Sequence, residues 1–495
     1  MLLFLGRLAL AAVGGAAVYA SYEPHGLWWA AIVGIGLLWL AFQPRRGSAV
    51  TVRQGVAVGF AHSLTQYLLM LHWIGELVGT MPYVALAVFL SLWSLALGWG
   101  AALLARWRYG FAAFPFFYLA VELGRSSVPF GGFAWVRLGW GQIDGPLAAL
   151  AAWGGPALVT VAAALAGCGL AALVRRTWWG AAAVALPLAL GLLAGTTINN
   201  PDHTVGTKHV AAIQGNVPRL GLDFEGQRLA VLTNHVTVTK EAAAADDGVD
   251  FYVWPENSSD INPFSNATGM ALIREALAAA DAPILVGTAT VDEVGERNTM
   301  QVFNAGGSAG EHHYKKYLQP FGETMPLRSF FRKITDLVDL AGDFKAGDGP
   351  GVVDMGGTAL GVATCYEVSF DDAFRASVRN GATIMSTPTN NATFGFSDET
   401  YQQLAMSRMR AIETDRAVIV PATSGVSALI EPDGTVIDQS QIFEPTYLIA
   451  DLPLRDSITP AVKYGDVLQA LAVAVGLACA AAAAWFNRLQ PRKKK

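Results

Sequence analysis

Residues Gly361 to Phe370 read GVATCYEVSF, and the fold of the polar part of the chain turns on this stretch. An apolar run of strand character, Ala359, Leu360, Val362 and Ala363, ends on Cys365. Tyr366 and Glu367 follow at once, and Asp371 to Arg379 has the pattern of a helix. A strand that passes into a helix through so short a link sets the linking side chain at the edge of a sheet. The other two cysteines, Cys168 and Cys479, lie in long apolar runs, so Cys365 is the only thiol of the polar region and has no disulfide partner there. A lone cysteine is most often a small buried hydrophobe; residues elsewhere in the chain point instead to chemistry.

Around this stretch the composition is that of a membrane protein. Of 495 residues, 53% are apolar and 15% charged, with a mean hydropathy of +0.37. Apolar runs long enough for a hydrocarbon core of about 30 Å are expected at Leu2 to Tyr19, Leu27 to Phe42, Gly55 to Ile74, Tyr83 to Ala105, Phe111 to Val121, Pro146 to Leu173, Trp178 to Ala194 and Val467 to Phe486. The first run lacks a clear small-residue cleavage site and reads as a retained helix rather than a signal peptide.

Arginine and lysine gather after alternate runs: Arg45, Arg46 and Arg53 after the second, Arg106 and Arg108 after the fourth, Arg175 and Arg176 after the sixth, Arg488 and Arg492 to Lys495 after the last. Positive charge stays on the cytoplasmic side, so both termini are expected inside and the segment from Thr196 to about Ala461 outside. Three regions follow: a helical membrane domain over 1–198, an outer domain over 199–461, and a final span with a basic tail over 462–495. The loop from Glu122 to Gln142, ELGRSSVPFGGFAWVRLGWGQ, is rich in glycine and tryptophan. It reads either as an interfacial aromatic belt or as a re-entrant loop lining a cavity, with Trp135 beside substrate and Arg125 offered to a lipid phosphate.

The outer domain changes character. Short β-rich runs (HVAAIQGNV, DFYVWPE, APILVGTAT, TALGVATCYE, ATIMSTPTN, RAVIVPATS, VSALIEPDG) alternate with amphipathic segments near Gln227 to Ala245 and Thr268 to Ala280. This predicts one α/β domain with two layers of sheet or more. No nucleotide-binding glycine loop, zinc-ligand spacing or basic stripe is present, and the net charge of −5 argues against nucleic acid.

Two further strand ends carry charge. DFYVWPE delivers Glu256, and HHYKKYLQPFGE delivers Lys315, Lys316 and Glu323. A thiol of ordinary pKa ~8.5 needs a base or a positive charge to attack at neutral pH, and Glu256 can be that base. A tetrahedral intermediate needs donors for its oxyanion, and Lys315 with the Tyr366 amide is suited to the task.

These motifs resemble the Glu–Lys–Cys triad of the carbon–nitrogen hydrolase (nitrilase) superfamily: WPE at Glu256, the YKKYL run leading into PFGE, and Cys365-Tyr366-Glu367. Set between about seven spans and one more, they are similar to the apolipoprotein N-acyltransferase family. The likeness extends to IQGNVP at Ile213 to Pro218, FNAGGSAG with Asn304, SRMRAIE at Ser407 to Glu413, TSGVSALIEPDG at Thr423 to Gly434 and the Glu122/Arg125 segment. The resemblance implies a polytopic α-helical membrane domain plus an α/β nitrilase-like α-β-β-α sandwich domain. It implies Cys365 as acyl acceptor, Glu256 and Lys315 completing the triad with Lys316 a bystander, and Glu323, Tyr366, Glu367 and Asn304 as supporting residues. An acyl chain would pass from a phospholipid to the N-terminal S-diacylglyceryl cysteine of an apolipoprotein, with membrane lipids around the protein and no metal or organic cofactor. The chain departs from the family at Asn390-Asn391-Ala392-Thr393-Phe394-Gly395, at Tyr317 and at Phe224, which bears on the shape of the acyl pocket.

Beyond Glu323 the run TMPLRSFFRK mixes Phe330 and Phe331 with cations. It reads either as a substrate-admitting arm at the membrane interface or as a helix start whose phenylalanines join the core. Two rival functions share the pattern: a membrane-tethered amidase acting on a small amide, and a non-catalytic membrane scaffold.

Overall fold

A computed structural model describes residues 1–45, 48–217 and 229–489. Arg46, Pro218, Phe224, Gln227 and Arg492 to Lys495, used above, lie outside the described residues. The chain forms two compact units, Met1–Ile198 with Lys463–Lys495, and Asn199–Val462.

The first unit is helical: α1 Leu2–Tyr19, α2 Trp28–Phe42, α3 Val52–Met70, α4 His72–Val78, α5 Thr80–Leu104, α6 Gly110–Ser127, α7 Ala151–Val174 and α8 Trp179–Gly195, with most of a last helix, Pro460–Leu489. Among the described residues, four stretches are long and apolar enough to cross a membrane: Leu2–Tyr19, Thr80–Leu104, Ala148–Val174 and Pro460–Arg488. The apolar helices α2 and α8 are shorter. The run expected over Gly55 to Ile74 divides after Met70 into α3 and α4, and the one expected to stop at Val121 continues as α6 to Ser127.

Helices in an apolar solvent gain from close backbone approach, which small residues permit. A Cβ at Gly98 would lie 2.2 Å from the Gly55 carbonyl oxygen, and one at Gly15 would lie 2.1 Å from that of His62. The α3/α5 and α1/α3 contacts are therefore backbone against backbone.

The Glu122 to Gln142 loop folds into this unit rather than opening from it. Glu122 accepts from the Leu138 amide (2.7 Å) and the Thr160 hydroxyl (2.9 Å). Arg125, 5% exposed, donates to the Tyr67 hydroxyl and to the Val136 carbonyl. Trp135 is 3% exposed, against Trp73. Arg125 and Trp135, expected beside a lipid substrate on a loop, are buried within this unit.

The second unit runs β1 Thr204–Gln214, α9 Ala230–Ala245, β2 Phe251–Val253, α10 Ala267–Ala280, β3 Ile284–Val291, β4 Glu296–Phe303, β5 Ala309–Tyr314 and α11 Arg328–Phe331. Its second half is β6 Val352–Asp354, β7 Ala359–Val362, α12 Asp371–Arg379, β8 Ile384–Ser386, α13 Glu399–Thr414, β9 Val418–Val420, β10 Ala428–Ile430, β11 Val436–Gln439 and β12 Thr446–Arg455. Two six-stranded sheets result, in the orders β12-β1-β2-β3-β4-β5 and β11-β10-β9-β8-β7-β6. The central pairs β1/β2, β2/β3, β7/β8 and β8/β9 are parallel, as suits strands buried on both faces.

Alternation along β1 assigns the layers. Val210 and Ala212 pack with Phe251, Val253 and Met300 against Leu360, Val362, Ile384 and Ile419 of the other sheet. Ala211 and Ile213 turn the opposite way, toward Leu232, Val236, Ile273 and Leu277 of α9 and α10. Helices α12 and α13 pack on β7, β9 and β10, giving an α-β-β-α sandwich. The strands that the apolar pattern does not reveal include β5, β6 and β11, edge or near-edge strands with exposed polar residues.

The close helix contact yields a prediction. Gly98→Ala places a methyl group into the Gly55 carbonyl and should lower the thermal midpoint in detergent clearly, an overpacking of about 1–3 kcal/mol. Gly6→Ala, where a Cβ meets nothing within 4 Å, should not. Equal midpoints for both variants would refute the backbone contact.

Candidate active site

Three strands end close to one another on side chains that carry chemistry. Glu256 follows β2, Lys315 follows β5 and Cys365 follows β7. The backbone before Glu256 is pressed against β3: a Cβ at Gly287 would fall 2.3 Å from the Pro255 carbonyl oxygen. Thr423 Oγ1 donates to the Glu256 carbonyl at 3.1 Å, so the turn is held from both sheets.

The Lys315 ammonium, 2% exposed, is the hub. Its Nζ donates to Glu256 Oε1 at 2.8 Å and to Glu323 Oε1 at 2.9 Å. Asn298 Nδ2 bridges the same two oxygens, each at 2.7 Å. The second oxygen of Glu256 accepts from the Asn390 amide (3.2 Å), and that of Glu323 from the Gln319 amide (2.8 Å). Burial works against the ammonium, but Glu256, Glu323 and Cys365 outweigh it and hold Lys315 well above its ordinary value.

Glu367 is an organiser. Its Oε2 accepts from the Thr364 amide (2.7 Å) and faces His313 Nε2 at 3.0 Å; its Oε1 accepts from the Lys316 amide (2.7 Å) and the Tyr317 amide (3.2 Å). Burial alone would raise this carboxyl; His313, the Thr364 amide and Lys315 instead hold it below the usual carboxylate range. One carboxylate therefore ties the nucleophile turn to the lysine strand. Lys316 enters through its backbone only, as a fixed point of that tie.

Cys365 has a positive φ of 52°, a conformation unusual for a residue with a side chain and frequent at functional turns. The Thr364 capping box and the Cys365 amide, which donates to the Pro388 carbonyl at 2.9 Å, hold it there. On α13, Arg410 donates to the Val368 carbonyl at 2.8 Å and pairs with Asp371 at 2.9 Å, so the SRMRAIE motif clamps the same turn. Burial and the Glu256 charge push the thiol up to about 12, against an opposing pull from Lys315 and a hydrogen bond from Thr389. Tyr366 is buried beside it, edge-on to Phe370.

Asn304 is elsewhere. It closes the β4–β5 hairpin, its amide donating to the Ser308 carbonyl (2.9 Å) and its Nδ2 to Ser308 Oγ (3.1 Å). The asparagine brought to the carboxylates is Asn298, unmarked in the sequence except as a polar residue in a buried strand. Also unanticipated are Glu399 and Gln403, which with Asn391 form a hydrogen-bonded polar group beside Cys365. The Gln403 amide nitrogen lies 3.4 Å from Cys365 Sγ. Glu399 is pushed up to about 8 by burial and by Glu256. Among the described residues no group of three or more His, Cys, Asp or Glu side chains is arranged to hold a metal.

The arm after Glu323 does not enter the core. Phe330 is 55% exposed, with Leu327 and Ile334 exposed nearby, and Phe331 meets Phe321 and Phe330 edge-on, each with ring centroids 5.2 Å apart. Arg328 secures the arm by donating to the carbonyls of Val338, Ala341 and Gly342 at 2.8–3.1 Å.

Comparison with known proteins matches both units. Residues 14–170 match the apolipoprotein N-acyltransferase N-terminal domain, and residues 209–459 match the carbon–nitrogen hydrolase family. An apolipoprotein N-acyltransferase of Mycolicibacterium smegmatis is 41% identical, covering 98% of this chain and 86% of that one. One from Photobacterium profundum is 29% identical, covering 93% of this chain and 92% of its own. Among solved structures, Saccharomyces cerevisiae Nit3, described as a member of the nitrilase superfamily, is 18% identical with a TM-score of 0.38, covering 59% of this chain and 97% of its own. With a carbon–nitrogen hydrolase sandwich joined to this helical unit, the chain belongs to the apolipoprotein N-acyltransferase family.

Proposed function

We propose that the protein N-acylates apolipoproteins by ping-pong transfer through a thioester on Cys365. The observation that carries the reading is the Lys315 hub: one ammonium held by two carboxylates, electrostatically coupled to Cys365, in a chain with a large apolar helical unit.

In the first half-reaction Glu256 takes the thiol proton and Sγ bonds the carbonyl carbon of a phospholipid ester. Lys315 and the Tyr366 amide stabilise the oxyanion. The ester C–O bond breaks, and the lysophospholipid leaves with the proton from Glu256. In the second, the α-amine of an S-diacylglyceryl cysteine bonds the thioester carbon and Glu256 accepts an amine proton. The C–S bond breaks, the amide leaves, and the sulfur regains a proton. Keeping water from the thioester prevents its hydrolysis before the amine arrives. The spacing of arginine and lysine between apolar runs supports a multi-pass arrangement in a bacterial plasma membrane with the second unit outside. The exposed Leu327, Phe330 and Ile334 support an arm that admits lipid.

Purified protein incubated with radiolabelled phospholipid should form a hydroxylamine-sensitive acyl-enzyme that Cys365→Ala abolishes. Lys315→Met should slow acylation about 10²-fold, Asn298→Leu at least about tenfold through loss of hydrogen bonds to charged groups, and Asn304→Ala not at all. Acylation surviving in Cys365→Ala would remove the mechanism. Turnover of a water-soluble amide without lipid acylation would favour an amidase.

An impermeant thiol reagent should label a cysteine placed at Gly248 in intact spheroplasts, and one placed at Ser48 only after lysis. The reverse pattern would invert the orientation.

Replacing Phe330 and Phe331 together by Ser should slow acylation from bilayer phospholipid far more than from a short-chain soluble ester, at unchanged thermal stability. Equal slowing with both donors, alongside a lost midpoint, would make the phenylalanines structural.

A further inference from the structure

We propose that Gln403 is a further catalytic residue, a donor that stabilises the Cys365 sulfur as an anion. The proposal rests on the acyl-transfer reading above.

Gln403 sits on the first turns of α13, 1% exposed. Its side chain can present either an oxygen or a nitrogen to the sulfur, and its neighbours decide which. Oε1 accepts from Asn391 Nδ2 at 3.1 Å and lies 2.7 Å from Thr389 Oγ1, whose single proton is shared between this oxygen and the Cys365 sulfur. Asn391 Nδ2 in turn faces Glu399 Oε2 at 2.7 Å, so two acceptors bracket it. With the glutamine oxygen turned to the Asn391 amide, Nε2 faces Cys365 Sγ at 3.4 Å, within the reach of a hydrogen bond to sulfur. A buried amide fixed in this way has no conformational freedom left to lose when the sulfur becomes charged.

The arrangement answers a difficulty in the mechanism. Burial and two carboxyl groups, Glu256 and Glu399, oppose thiolate formation, and Lys315 is engaged with Glu256 and Glu323. A second donor at the sulfur raises the thiolate population before attack. It also eases expulsion of the thiolate from the second tetrahedral intermediate, when the amide product leaves.

The test is the rate of Cys365 alkylation by iodoacetamide as a function of pH, with acylation from phospholipid measured in parallel. The ionisable groups coupled to the sulfur are Glu256, Lys315 and Glu399, and none is altered. In Gln403→Leu, alkylation should fall about tenfold at every pH below the thiol midpoint, as one unit of upward shift requires, and acylation should fall at least as much. A merely structural role predicts the opposite sign for alkylation, since a loosened site exposes the sulfur. If Gln403→Leu does not fold, Gln403→Glu keeps the shape and replaces the N–H by a group that donates only while protonated. Its alkylation rate should approach that of the unaltered protein at low pH and fall progressively behind as pH rises. A constant ratio across pH, or unchanged alkylation in Gln403→Leu, would overturn the assignment.

Discussion

A lysine ammonium taken out of water is tolerable only where anions and hydrogen bonds replace its hydration. At Lys315 two carboxylates and a bridging asparagine do so, and the active-site region depends on that compensation. Glu256 comes from the first sheet, Glu323 from the loop after the lysine, and Asn298 from the neighbouring strand. Removing any one leaves the others as buried groups short of partners, so the cluster forms as a unit. The same constraint explains why Glu367 is bonded on both oxygens. It ties the nucleophile turn in the second sheet to the backbone that presents the lysine.

The helical unit solves a different problem with different means. Its contacts rest on glycine carbonyls meeting glycine Cα atoms, where a methyl group has no room. Among its buried polar residues, Glu122 and Arg125 bond to amides, hydroxyls and carbonyls of the unit itself.

Much of this was legible in the sequence, and the reasons are local. Glu256, Lys315 and Cys365 each end or follow a short apolar run, and the period-2 pattern places them at strand ends. The β1, β3, β7 and α12 segments are visible for the same reason. Asn298 was not legible, because its importance depends on which strand lies beside β4 and in what register: Thr299 pairs with Tyr314, which brings Lys315 next to Asn298. Nothing within a few residues of Asn298 encodes that. Asn304, in a more conspicuous glycine-rich run, turned out to serve a hairpin. Gln403 was hidden in the opposite way, as one polar residue on a helix that is buried nearly all round. The burial of Arg125 was equally non-local, since Tyr67 and Val136 come from separate parts of the chain.

The high proton affinity of Cys365 has a consequence for the protein's durability. Thiols are oxidised as thiolates. A sulfur whose pKa is near 12 is almost wholly protonated at rest, and is thereby shielded from conversion to sulfenic and sulfinic acids between turnovers. Such an enzyme trades a permanently activated nucleophile for a long working life.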